Sequence, residues 1–107
     1  VGRILLFDNR GGPSGAARVL WLDARGRVTR TWTGAGEPLQ SAILGAVEPL
    51  ADGAVWVTES ERGTVWEVDA AGRVRWAFAN PARAGDDDEL VAAIFEMEPA
   101  VWLPPPP

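Results

Sequence analysis

The chain has 107 residues, 47% of them hydrophobic and six of them Trp, with ten cations that are all Arg and with no His, Cys, Lys or Tyr. These absences exclude disulfides, thiolate and imidazole metal centres, Ser-His-Asp triads, lysine Schiff bases and P-loops. The net charge of −5 arises entirely beyond residue 80, where six acids face one Arg; a neutral body with an acidic tail argues against nucleic acid, and no apolar run reaches the ~18–20 residues of a membrane-spanning helix.

The opening VGRILLF has no charged leader, long apolar region or small-residue cleavage site, so it does not read as a signal peptide. Its first residue is Val and not Met, which points to a start further upstream. Short runs of β-branched, aromatic and Leu residues bounded by Gly, Asp and Asn then predict strands over 3–8, 18–23 and 27–32. A second series follows over 43–50, 54–60, 64–69 and 73–79. In the last of these, Val74, Trp76 and Phe78 alternate with Arg73, Arg75 and Ala77, the period of a strand with one apolar face. DARG and DAAG supply tight hairpin turns, with Asp first and a Gly free to take positive φ last, and ADG supplies another hairpin turn.

The two series are copies of one unit. RVLWLDARGRVTRTW matches TVWEVDAAGRVRWAF at an offset of 46 residues, and GRILLFDN matches GAVWVTES at an offset of 51. The difference falls in one loop, RGGPSGAA in the first copy and ERG in the second. Insertions confined to a Gly-rich loop are what a repeated structural unit tolerates. Copy two holds four strands and copy one the last three.

A four-stranded meander repeating every ~40–50 residues is the pattern of a β-propeller blade. The expected fold is therefore all-β, about one and three-quarter blades of an incomplete ring. Residues 1–34 would form the incomplete blade, 35–81 the complete one, and 82–107 an acidic and Pro-rich C-terminal tail. Middle strands such as ILLF and AVWV need cover on both faces, which adjacent blades supply. The competing architecture is a small two-sheet sandwich, which needs no further chain. Trp56, Trp66 and Trp76 are expected to be more buried than Arg73 and Arg75, and Phe7 to be covered where the second copy has Thr58.

In the tail, GDDDEL has acid density without the alternating ligand spacing of a Ca²⁺ loop, so a solvated loop or helix cap reads better. No metal or cofactor site is expected. ELVAAIFEME suits a short helix by propensity or a closing strand, and PPPP suits a polyproline II tail.

The phrases GRILLFDNRGG, GAVEPLADGAVWVTESERGTVWEVDAAGRVRWAFANP and ELVAAIFEMEP resemble the C-terminal blades of the arylsulfotransferase (aryl-sulfate sulfotransferase) family. The resemblance covers residues 2–81 well and the tail loosely, and it tilts ELVAAIFEME towards an extended form. It implies a six-bladed propeller that moves a sulfuryl group from a phenolic sulfate ester to a phenol through a His nucleophile. It also implies export, to the periplasm or beyond. This chain has no His, so no catalytic residue carries over, and the nucleophile would belong to blades upstream. The expected partners are those blades and an aryl sulfate or phenol.

In an up-and-down blade, the start of strand one and the end of strand two share one end of the sheet. That end would carry Asn9, Arg10, Ser41, Glu59 and Arg62, the candidate substrate-facing residues, with the two Arg able to attract an anionic sulfate ester. The plainer reading makes Asn9 and Ser60 turn residues and leaves both Arg to solvent. The rival function is a non-catalytic propeller scaffold for a ligand or protein, since fold does not fix function.

Overall fold

A computed structural model describes residues 3–100. They form antiparallel sheets of three, four and two strands with almost no helix. The first sheet is a meander of β1 (Ile4–Asp8), β2 (Arg18–Leu22) and β3 (Val28–Trp32) in that spatial order. The second is a meander of β4 (Ala46–Pro49), β5 (Val55–Glu59), β6 (Thr64–Val68) and β7 (Val74–Ala79). A short ladder of β8 (Arg83–Ala84) and β9 (Leu90–Val91) follows. All seven strands expected before residue 80 form, though the strand expected over 43–50 is shorter, spanning Ala46–Pro49.

The repeat holds at the level of single hydrogen bonds. In both DARG and DAAG the Asp carboxylate accepts two backbone N–H groups: Asp23 from Arg25 and Arg27 at 2.8 and 3.0 Å, Asp69 from Ala71 and Arg73 at 2.9 and 2.8 Å. These bonds satisfy turn donors that a two-residue connection would otherwise leave to water. Gly26 and Gly72 close the turns at φ 80° and 88°, a region in which a Cβ is strained. Register slips next to each turn at matching positions, between Trp21 and Leu22 and between Glu67 and Val68. Two copies of one sequence thus make the same turn and the same bulge.

The two sheets stack face to face, and the core lies between them. Val19 and Trp32 of the first sheet meet Val55, Val57 and Val68 of the second, with Leu5, Phe7, Trp21, Val47 and Trp66 packed around them. Trp32 and Trp66 cross this seam edge to face, ring centroids 6.5 Å apart. Arg30 lies over the Trp21 ring at 4.2 Å and reaches across to the Asp69 carbonyl at 2.7 Å. Gly45 at φ 150° lies against the Phe7 ring, where a Cβ would collide with it. Burying each large apolar group contributes roughly 1.5–3 kcal/mol, so this seam is the main source of stability.

Phe7 is half-buried and its counterpart Thr58 fully buried, while Trp56 and Trp66 are half-buried. Trp76 departs from expectation, being 38% exposed, the same fraction as the Arg75 side chain. The alternation in β7 is present, but β7 is an edge strand with every residue exposed, and Trp76 meets the Trp56 ring edge to face at 5.8 Å.

The tail returns to the second sheet without forming a helix. Ile94 N–H donates to the Ser60 carbonyl, Ala92 N–H to the Ala82 carbonyl, and the Asn80 amide to the Ala92 carbonyl. Residues 82–100 are extended or turned. The polyproline II reading of PPPP concerns residues outside those described.

Candidate functional site

β1 ends at Asp8 and β5 at Glu59, at the same end of the stacked sheets, and the linker from β3 to β4 crosses between them. Leu39 ties this linker to the first sheet: Ala17 N–H donates to its carbonyl and its own N–H donates to Thr33. The buried Leu39 side chain joins the core. The linker residues 40–44 are then held from both sides by polar side chains.

Asn9 holds one side, its amide donating to the carbonyls of Ser41 and Leu44, both at 2.7 Å. Arg10 adds a longer bond from Nε to the Ala42 carbonyl at 3.4 Å. On the other side Glu61 accepts the N–H groups of Ala42 and Ile43 at 2.7 and 3.2 Å. Ser41 is buried, its hydroxyl accepting the Glu61 N–H at 3.4 Å.

Glu59 is the buried charge of this end, 1% exposed. One carboxylate oxygen accepts the Gln40 N–H at 2.6 Å, the other accepts the Trp66 indole N–H at 3.1 Å. Arg62 approaches it at 3.7 Å and also reaches Glu37 at 3.5 Å. A carboxylate this enclosed persists only when its lone pairs are satisfied, and here they are. Nearby, Asp8 binds Arg18 at 2.8 Å, and that hydrogen bond is the main reason its carboxyl titrates below the usual carboxylate range.

The structure thus brings Asn9, Arg10, Ser41, Glu59 and Arg62 to one end, as the strand connectivity predicts. Their side chains are engaged with the protein itself. Two shallow clefts open there, one of about 380 Å³ lined by Asn9, Pro13, Gln40, Ser41 and Glu61, the other of about 330 Å³ lined by Glu37, Leu39, Glu59, Arg62 and Trp66. Arg10, Arg18 and Arg62 stand among Asp8, Glu37, Glu59 and Glu61, so the carboxylates outnumber the guanidinium groups and the end is no cationic funnel.

Glu61 and Glu37 were not singled out in the sequence. Glu61 could have been, because it follows directly on the strand that delivers Glu59; Glu37 sits in a polar loop with no periodicity to mark it. Among the described residues no cluster of three or more Asp or Glu could hold a metal ion, and no buried side-chain polar atom lacks a partner. No protein-family model, characterised protein or solved structure matches this chain at a significant level.

Proposed function

We propose that the chain is a pair of neighbouring blades from an arylsulfotransferase-like β-propeller, contributing scaffold and rim to a site whose His nucleophile is supplied by upstream blades. The observation that carries this reading is the stacking of two meanders that share turns, bulges and strand order, the way blades of one ring lie side by side. The motif resemblance adds the chemistry. An imidazole nitrogen would attack the sulfur of an aryl sulfate and the S–O bond would break to release phenolate. An acceptor phenol oxygen would then take the sulfuryl group, with cleavage of the S–N bond and loss of the phenol proton. None of these steps uses a side chain of this chain as nucleophile.

A second reading, a non-catalytic propeller scaffold, is favoured by the excess of carboxylates over guanidinium groups at the loop end. One experiment separates the two. The 107-residue chain, given an aryl sulfate and a phenol acceptor, should transfer no sulfuryl group. The chain expressed with its upstream sequence should do so, and lose the activity when an upstream His is replaced. Turnover by the short chain would overturn the assignment of the nucleophile. An inactive longer protein without His would leave the scaffold reading standing.

A further inference from the structure

The seam between the two sheets joins different faces of one repeated unit. In the first sheet the register puts Leu5, Phe7, Val19, Trp21, Arg30 and Trp32 on the face that meets the second sheet. Their counterparts in the second copy are Trp56, Thr58, Val65, Glu67, Trp76 and Phe78, which the register places together on the far face of the second sheet. Conversely, Val55, Val57, Trp66 and Val68 form the receiving face. Their counterparts are Ile4, Leu6, Leu20 and Leu22, on the far face of the first sheet. The repeat's front packs on the repeat's back. Among the described residues, the front of the second sheet and the back of the first therefore take no part in this seam.

Both faces keep exposed apolar members around positions that are already buried, Thr58 and Val65 on the front and Leu20 on the back. On the back, Ile4 is 48% and Val28 54% exposed; on the front, Trp76 is 38% and Phe78 40% exposed. Groups of this size are seldom left together in water without a partner. One matched contact position changes from apolar to charged, Glu67 in place of Trp21, and Arg75 at 2.8 Å neutralises it.

We propose that a second copy of this chain docks head to tail, the front of its second sheet on the back of the first sheet of its neighbour. The internal seam is the template for this contact. The Trp32–Trp66 contact across the seam would be repeated between copies as Phe78 of one against Leu20 of the other, and Trp76 would take the place that Arg30 holds. Front and back are different surfaces, so the association is heterologous: each copy can give one face and receive on the other. The inference rests on the stacked-repeat half of the proposed function and not on its chemistry. In a longer protein the same faces would be covered by neighbouring repeats; for the 107-residue chain the occupant is another copy.

The test uses two variants at exposed positions, both checked for native circular dichroism. Ile4→Arg with Val28→Arg spoils the back, and Trp76→Arg with Phe78→Arg spoils the front. By sedimentation equilibrium the unaltered chain should gain mass with concentration, and each variant alone should associate roughly tenfold or more weakly. An equimolar mixture of the two should form a 1:1 complex and stop there, because one intact front and one intact back remain. The chain has no Cys, so a mixture of Phe78→Cys and Leu20→Cys chains, each first checked for native circular dichroism because Leu20 is buried, adds a crosslinking readout. It should yield a disulfide-linked pair that neither chain forms alone. A chain monomeric at every concentration would overturn the proposal. So would association that both arginine variants leave untouched, or a mixture that restores nothing. None of these readouts involves sulfuryl transfer, so the proposal can fail while the chemistry stands, and the reverse.

Discussion

Glu59 shows how a single side chain serves two layers of this structure. Its carboxylate bonds the linker at Gln40 and the indole of Trp66 in the core, while remaining almost wholly out of water. Replacing it by Ala would leave the part-buried Gln40 N–H and Trp66 indole N–H without this acceptor, which costs on the order of 1–3 kcal/mol. Gln keeps one acceptor but turns an amide N–H₂ towards one of the two donors, so Glu59→Gln should cost about half as much. Urea midpoints of the three proteins would rank unaltered, Gln and Ala in falling order. If Ala equalled the unaltered chain, the linker would be held by other contacts, with Leu39 and Asn9 the first to examine.

At the scale of elements, the central strands carry the structure and the edges advertise it. β5 and β6 lie between two neighbours each and hold Val55, Val57, Val65 and Val68 at no more than 1% exposure. β3 and β7 are edges, and β7 is exposed along its whole length. Val57→Ala should therefore cost about 2–3 kcal/mol, from lost transfer energy and the cavity left behind, while Val28→Ala should be nearly silent in folding stability. Hydrogen exchange should rank the strands in the same order, slow in β5 and β6 and fast in β7. Equal losses at both valines would mean that the seam is not where the core lies.

For the whole molecule the consequence of this composition is a simple pH response. Without His, no side chain has an ordinary titration near neutrality, and stability should be flat from about pH 5 to pH 8. Three carboxylates titrate below their usual range: Asp8 chiefly through its Arg18 hydrogen bond, Asp52 through Arg75, and Asp69 through the Arg73 N–H. A carboxyl whose folded value is depressed stabilises the fold above its unfolded value of about 3.9, and that contribution fades as pH falls through the folded value. Denaturation midpoints should hold down to about pH 5 and drop below about pH 4. High salt should flatten the drop only in part, because Asp69 is held by backbone donors and not by a guanidinium group.

The sequence by itself determined the strands, the turns between them and the fact of the repeat. These are local matters: alternation of period two, an Asp that caps its own turn, and a Gly where φ must be positive. The turn positions of Gly26 and Gly72 are legible in DARG and DAAG, and the convergence of Asn9, Ser41 and Glu59 at one end follows from strand connectivity. Only the tertiary structure decided which groups at that end are spent on the protein. Arg62 meets Glu37 twenty-five residues away and Glu61 binds a linker eighteen and nineteen residues distant, and no short-range pattern records such partners. The same limit explains Trp76. Its alternation marks an apolar face correctly, but whether a face is covered depends on what lies beyond the sheet, and burial is a property of neighbours that strand periodicity does not contain.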